Sequence, residues 1–395
     1  MYDKESVIEY CREEDVKFIR LAFTDVYGEQ KNISIMPHEL ERAFNYGISI
    51  DALAIDGFAM GKRSDLFLFP NPATLTLLPW RPLSGKVVRM YCDVKNPDGT
   101  PFVNDTRQIL KKACDFAAKE GIEFKFGSEI EFYLFKTTED GEPTKIPYDN
   151  AGYMDIAPKD KGENVRREIC LTLEEMNLVP EGSHHEEGPG QNEIDYMYSD
   201  PLCAADDATT FKGVVRTVAE RNGLYASFEP KPLEGRPGNG FHINFSLSKN
   251  KKSLNEAGTA GVLKHIKEIT AFLNCKDDSY NRLGKMHAPK YISYGEENRT
   301  VLIRIPAAKD IYKRSELRSA DSTCNPYIAF ALIIYAALDG VKNNLTLPKE
   351  LDANDEKNNQ FEVLPLSLDE AKTIARTSDF IKEYLPKEIF EYYLK

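Results

Sequence analysis

The sequence predicts an α+β protein in two parts, and three observations carry that reading. The first hundred residues break into short runs of alternating apolar and polar residues, the period of half-buried strands. From Asp105 the period changes, and TRQILKKACDFAAKEG repeats its apolar residues at helical spacing. Beyond it, helical and strand runs follow in mixed order, not in the regular alternation of a doubly wound parallel sheet. A length of 395 residues suits about two domains. The expected division is a small strand-rich domain over 1–103 and a larger one over 104–395.

Residues 4–14 read as a short acidic helix. VKFIRLAFTDVYGEQKNISIM alternates around a Tyr-Gly turn and predicts a hairpin. PHELERAFNYG, 37–47, is helix-like and stops at Gly47. DLFLFPN, ATLTLLPW and KVVRMYCDV are further strand candidates, and NPDGT marks a turn. After the helix that ends at Gly121, IEFKFGSEIEFYLFK alternates as a strand. Helical stretches recur at 163–177, 205–223, 256–274 and 325–340, with strand-like YASFEP, GFHINFSLS, TVLIRIP and SELRSA between them. The tail from Leu368 is helical.

Composition narrows the function. An apolar content of 42% with 29% charged residues fits a soluble globular core. A net charge of −12 without a basic patch argues against a nucleic-acid or anionic-membrane partner. No run approaches a membrane span. The opening MYDKESVIEYCREED has no apolar core of a signal peptide, and the seven cysteines are scattered singly, so the expected setting is the cytoplasm with reduced thiols.

Residues 181–195, EGSHHEEGPGQNEID, crowd two histidines and five acids among glycine and proline breakers, an over-dense acidic loop. Alone it would be a solvated surface. Glu129 and Glu131, two apart in an apolar strand, share one face. They are either solvated acids of an edge strand or, if buried, a pair that needs a cation or a shared proton. His242, Asn244 and Ser246 share the polar face of GFHINFSLS. Glu316 and Arg318 point one way around Leu317, and Arg304 lies between isoleucines. Glu129, Glu131, Glu186, Glu193, Glu316 and His242 together form a hard, oxygen-rich set suited to Mg²⁺ or Mn²⁺, enough for two or three ions. Such two-metal sites usually clamp phosphates. Arg282, Arg299, Arg304, Arg314 and Arg318 supply anion-binding groups. There is no Walker A, kinase-type or Rossmann glycine motif, so any bound nucleotide must be held by metals and arginines.

The chain closely resembles the glutamine synthetase family over about residues 15–385. The resemblance is carried by VKFIRLAFTDVYG, NPDGTPF, FGSEIEF, EGSHHEEGPGQNEID, HINFSL, NRTVLIRIP and ELRSADSTCNPYIAFALIIYAALDG. It implies an N-terminal β-grasp domain and a catalytic domain, ATP-guanidino-kinase-like, with a curved antiparallel sheet and helices. It implies hexameric rings, often stacked in pairs as dodecamers, with active sites between subunits. The implied activity is that of a glutamate–ammonia ligase: ATP phosphorylates the glutamate γ-carboxylate and ammonia displaces the phosphate. By motif, Glu131, Glu186 and Glu193 match the ligands of one metal, and Glu129, His242 and Glu316 those of a second. Glu181, Tyr198, Ser246 and Arg304 match nucleotide-binding positions, with Arg314 beside them. Arg282, Arg299 and Arg318 match residues that hold glutamate or the transferring phosphate, and Gly238 and His242 glutamate-binding positions. Asp51 and Tyr153 match residues around the ammonium ion, with Asp51 its base and Glu186 also facing that pocket. His184, His185 and Glu187 are left as supporting residues.

The chain departs from the family in places. Asp51-Ala52-Leu53-Ala54 replaces Asp-Gly-Ser-Ser and loses a hydroxyl that helps bind ammonium. Pro237 stands where an asparagine is usual. His287 stands where a flap loop carries a glutamate before Ala-Pro, a glutamate that shields the acyl phosphate and helps bind ammonium. The stretch after HINFSLS is short, and the chain stops at Lys395 without the tail that grips the opposite ring, so a single ring is expected more readily than a double one. Three readings stand open on the sequence: a ligase for ammonia, a γ-glutamyl ligase for a small organic amine, and a non-catalytic regulatory relative.

Overall fold

The computed structural model describes residues 2–59, 64–81, 84–309, 312–351 and 361–395. The chain opens with α1 (Lys4–Glu13), whose first turn is closed by a reciprocal capping box between Asp3 and Ser6. The expected hairpin follows as β1 (Val16–Thr24) and β2 (Gln30–Ile35), antiparallel. At its turn Gly28 takes a φ of +83°, and a Cβ there would lie 3.0 Å from the Asn325 backbone. The hairpin tip therefore docks on the larger domain through a residue with no side chain. There the Asn325 amide and the Tyr393 hydroxyl both donate to the Val26 carbonyl, at 3.1 and 2.7 Å.

α2 (Leu40–Tyr46) ends at Gly47, as its sequence predicts. β3 (Ile48–Asp51), β4 (Asp65–Pro70), β5 (Thr76–Leu77) and β6 (Lys86–Lys95) complete a sheet of order β2-β1-β6-β4-β3, with β5 paired to β6. β3 is a strand that the apolar pattern did not announce. ATLTLLPW forms only the two-residue β5, because residues 72–74 close a tight turn capped by Asn71.

The larger part begins with α3 (Thr106–Lys119), capped by the Asp105 carboxylate on the Arg107 and Gln108 N–H groups. Then come β7 (Glu123–Thr137), β8 (Pro143–Pro147), α4 (Glu163–Glu175), β9 (Pro180–His185), β10 (Gln191–Tyr196), α5 (Pro201–Arg221), β11 (Leu224–Ser227), β12 (Phe241–Lys249) and β13 (Lys252–Ser253). α6 (Asn255–Leu273), α7 (Asp277–Arg282), β14 (Tyr294–Glu296), β15 (Ile303–Ile305), β16 (Ser315–Leu317) and α8 (Pro326–Lys342) follow. The tail divides into α9 (Leu368–Thr377), α10 (Asp379–Tyr384) and α11 (Lys387–Tyr393).

The second sheet runs β14-β15-β16-β12-β7-β10-β9, mostly antiparallel, with β11, β13 and β8 at its margins. Two expectations change here. TVLIRIP pairs only over β15, and residues 181–195 are not a loop. They are the β9–β10 hairpin, because Ile194 and Tyr196 alternate inward with the acids of β10 and supply a buried face.

One face of this sheet is apolar. Phe124, Phe126, Ile130 and Phe132 of β7 alternate with its charged residues and meet Ile243, Phe245 and Leu317 in the core. α8 lies against that face, and Phe126 stacks on Phe330 with ring centroids 4.5 Å apart. Such a pair adds about 1 kcal/mol beyond its buried area. α6 crosses α8 so closely that a Cβ on Gly261 would stand 2.1 Å from the Ala336 carbonyl oxygen. The packing leaves the charged face of the sheet free. Among the described residues no helix is long and apolar enough to cross a membrane.

A buried ionic network joins the two parts. Arg107 donates to both Asp206 oxygens, at 3.0 and 2.9 Å, and to Asp93 at 3.0 Å, and the Tyr327 hydroxyl donates to Asp206 at 2.7 Å. These four residues tie β6, α3, α5 and α8 together.

Candidate active site

The charged face is ordered by strand register. Glu193 of β10 pairs with Glu131 of β7 on one side and with His184 of β9 on the other. Two residues along, Asp195 pairs with Glu129, and Glu129 pairs with His242 of β12. Next, Asn244 pairs with Glu316 of β16, and Glu316 with Arg304 of β15. A two-residue period on six adjacent strands thus collects acids that the sequence scatters from Glu129 to Glu316.

Donor atoms of Glu129, His242 and Glu316 lie within 4.8 Å of one another, which brings together one of the two expected ligand sets. Glu131 and Glu193 form a second group with His242, and Glu186 and Glu193 a third with His184. The other expected set therefore meets through Glu193. His184, expected only to support, becomes a possible donor, its Nε2 2.9 Å from Glu186. Asp195 was missed. It joins Glu129 and Glu193 in a further group, and its place two residues after Glu193 on a strand is the signal that would have found it.

The electrostatics say what this set lacks. Burial raises the Glu193 carboxyl well above the usual range, and the charges of Glu131 and Asp195 push the same way. Burial and then Glu186 raise Glu131, and burial and then Glu129 raise Asp195 to about 7. Glu129 goes the other way. Burial opposes its charge, but the His242 hydrogen bond and charge and the Asn244 amide at 2.9 Å bring it down to about 2. A cluster that must otherwise hold protons near neutral pH, built of carboxylate oxygens and imidazole nitrogens, fits a hard divalent cation.

Cations line the opposite side. Glu316 is fully buried between Arg318 and Arg304, which donate to its two oxygens at 2.6 and 2.8 Å. Arg282 is buried and held by the Ser319 and Arg318 carbonyls at 2.9 and 3.1 Å. Arg314 donates to Asn244 at 2.8 Å. These arginines, with exposed Arg299, face the acids across a cavity of about 630 Å³. Its wall also carries Tyr153, Gly238 and His287. Gly238 is close-packed: a Cβ there would meet the Pro230 carbonyl oxygen at 2.2 Å.

A second cavity of about 220 Å³ shares Glu129, Gly182, Asp195 and Arg314 with the first and extends past Glu181, Tyr198 and Ser246. It brings together Glu181, Tyr198, Ser246 and Arg314 of the expected nucleotide positions, while Arg299 and Arg304 line only the larger cavity. Asp51 is apart. It ends β3 on the small sheet, is exposed, accepts the Leu53 N–H at 2.9 Å, and lines neither cavity.

Behind the hairpin, His185 is wholly buried. Its Nε2 lies 2.9 Å from Asp149 and its Nδ1 2.6 Å from the Glu186 carbonyl oxygen. Asp149 also accepts the Gly190 N–H at 2.9 Å. His185 therefore braces the strand end that presents Glu186.

Known proteins place this geometry. Residues 15–97 match the model of the glutamine synthetase beta-Grasp domain, and residues 103–395 that of the glutamine synthetase catalytic domain. The chain is 43% identical to the glutamine synthetase of Clostridium saccharobutylicum, over 100% of this chain and 94% of that protein. It is 43% identical to the glutamine synthetase of Methanosarcina mazei, over 99% of this chain and 92% of that one. Among solved structures, one described as "Apo GmaS without ligand" superposes with a TM-score of 0.89 at 29% identity, covering 100% of this chain and 95% of that one. A cryo-EM structure of Plasmodium falciparum glutamine synthetase superposes at 0.88 with 23% identity, over 100% and 95%, a likeness of fold.

Proposed function

The chain belongs to the glutamine synthetase family, and from that premise we propose that it joins glutamate to ammonia at the expense of ATP in the cytoplasm. The observation that supports this most is the single 630 Å³ cavity with clustered carboxylates on one wall and Arg282, Arg304 and Arg318 on another. Transfer of a phosphoryl group to a carboxylate brings two anions together, and the cavity has the charges to permit it.

Glu129, His242 and Glu316 would hold one divalent ion, and Glu131, Glu193 and Glu186 another, as Mg²⁺ or Mn²⁺. Such ions, when bound, offset charge on the phosphates of ATP and on the phosphoryl group in flight. The chain does the rest. Tyr198, Ser246 and Glu181 take the nucleotide in the smaller cavity, so the terminal phosphate points past Glu129 into the larger one. Arg282 and Gly238 position glutamate with its γ-carboxylate toward that phosphate. Arg282 is fixed by two carbonyls and cannot swing away, which preserves the alignment of nucleophile and phosphorus. Arg299, Arg304 and Arg318 stabilise the negative charge that spreads over the phosphoryl oxygens. Ammonia then attacks the γ-glutamyl phosphate beside Tyr153, and phosphate leaves. Asp51 takes the ammonium proton, reaching the cavity from a neighbouring subunit of a ring.

The use of an organic amine in place of ammonia draws support from Ala54, Pro237 and His287, but the relatives at 43% identity are glutamine synthetases. Phosphate release with ATP, Mg²⁺ and glutamate separates the two. Turnover that depends on ammonium and yields glutamine supports the proposal. Turnover with methylamine or ethanolamine alone overturns it, as does no turnover with any of them.

A further inference from the structure

The larger cavity has a mouth formed by two segments distant in sequence. One is the tip of the β9–β10 hairpin, which carries Glu187. The other is the loop after α7, which carries His287. The His287 Nε2 lies 3.0 Å from the Glu187 Oε1, and the side chains are 62% and 42% exposed, so the pair spans the opening at the solvent boundary. Glu187 Oε2 has no partner among the described residues.

The cavity must also receive a cation. Ammonium needs a carboxylate, and six acids line the wall: Glu129, Glu131, Glu186, Glu187, Glu193 and Asp195. Five of them belong to the groups whose donor atoms converge for a metal ion. Glu187 alone does not. Asp51 lines neither cavity of its own chain. One carboxylate is thus uncommitted to metal, sits at the solvent edge, and is aimed by a partner on the facing loop.

We infer that Glu187 binds the incoming ammonium ion and that His287 positions it, the pair together covering the cavity against water. This rests on the reading of the chain as an ammonia ligase. His287 uses one carboxylate oxygen and leaves Oε2 for ammonium. It also couples the loop to the hairpin, so that the same contact which presents the carboxylate narrows the opening. A charge-assisted hydrogen bond to ammonium held there serves specificity, because an organic amine with a bulky substituent must displace the loop.

The test uses the full-length enzyme. Wild type is assayed first for glutamine formed and phosphate released against ammonium concentration. Glu187→Gln should raise the KM for ammonium about tenfold, with the KM values of ATP and glutamate within about twofold, since only the charge-assisted contact is lost. It should also release more phosphate per glutamine formed, as water competes for the acyl phosphate. The double variant Glu187→Gln with His287→Glu returns a carboxylate to the mouth from the opposite loop, and it should recover most of the ammonium KM. An unmoved ammonium KM in Glu187→Gln, or a double variant no better than the single one, overturns the inference alone. Absence of ammonium-dependent glutamine in wild type overturns both it and the ligase reading.

Discussion

Glu131 and Glu193 are register partners on β7 and β10, side by side on one face of the sheet. Like charges directly opposite on neighbouring strands destabilise a sheet, and burial makes the repulsion worse. A fold that places them there requires a counter-charge. His242 supplies one for Glu129, but the charges of Glu131, Asp195, Glu129 and Glu186 all press on Glu193, against which His184 stands at 3.8 Å. The site thus carries an excess of negative charge that a divalent cation would offset.

The first prediction concerns pH. Glu131, Glu193 and Asp195 have folded-state values above their ordinary ones. A group raised in this way favours the folded state at low pH, where both states are protonated, and loses that stability as pH rises through its folded value. For Asp195 that is about 7. Metal-free protein in EDTA should therefore lose melting temperature steadily between about pH 5 and pH 8. Saturating Mg²⁺ should make the slope shallower, and so should Glu193→Gln without metal, while Asp207 and Asp105, raised by burial to about 7 and about 6 outside the site, keep part of it. Glu129, lowered to about 2, acts only in more acidic solution and leaves this window alone. A melting temperature in EDTA that is level or rising across the window contradicts the argument.

The second concerns the ligand sets. Glu131→Gln and His242→Ala each remove a donor from the converging groups, His242 from two of them. Each should lower kcat at least about a hundredfold, on the scale of lost electrostatic stabilisation of a transition state. Glu131→Gln relieves a buried like-charge pair, so the melting temperature of the metal-free protein should fall little or rise, whereas His242→Ala takes the counter-charge from buried Glu129 and should lower it. Stopped-time phosphate release and calorimetry on the same preparations check both halves. Normal turnover in either variant removes that residue from the site.

Much of this was legible in the sequence, and the limits are physical. Alternation along FGSEIEF and FHINFSL announced both strands and which residues share a face, because the side-chain period of a strand is two. What alternation cannot state is which strands are neighbours. The opposition of Glu193 to Glu131 and of His242 to Glu129 is a matter of register between segments up to 113 residues apart. The acidic stretch at 181–195 looked like a loop because its charge hid the buried residues of β10. Asp195 escaped notice for the same reason. The pairing of Glu187 with His287 joins two loops and left no local trace at all.

The third prediction tests the joint between the two parts. Arg107 holds Asp206 with two hydrogen bonds and Asp93 with a third, and Asp206 is buried. Arg107→Met keeps the length of the side chain and removes its charge. Asp206 is then left with the Tyr327 hydroxyl as its remaining side-chain donor. Breaking one side of a buried pair costs about 3–5 kcal/mol, because the other charge stays desolvated. Urea denaturation should show a loss of that size. Arg107→Met with Asp206→Asn should recover a large part of it, as the orphaned charge is gone. A single variant within about 1 kcal/mol of wild type would mean that solvent reaches Asp206.

The last prediction asks which chain supplies Asp51. The residue ends β3, is exposed, and lines neither cavity of its own protomer. If it acts as the ammonium base, it must do so in the site of a neighbour. Asp51→Asn and Glu131→Gln should each be inactive alone, the first for want of a base and the second for want of a metal donor. Dissociated, mixed in equal amounts and reassembled, they should regain activity. A site is whole only where a chain with Glu131 intact meets a neighbour with Asp51 intact. Random assembly of a closed ring makes that about one site in four, so turnover should return to about a quarter of wild type. Sedimentation of the mixture confirms that it has reassembled. If the mixture stays as inactive as its parts, each site draws both residues from one chain, and Asp51 must reach its own cavity by a movement of the small domain.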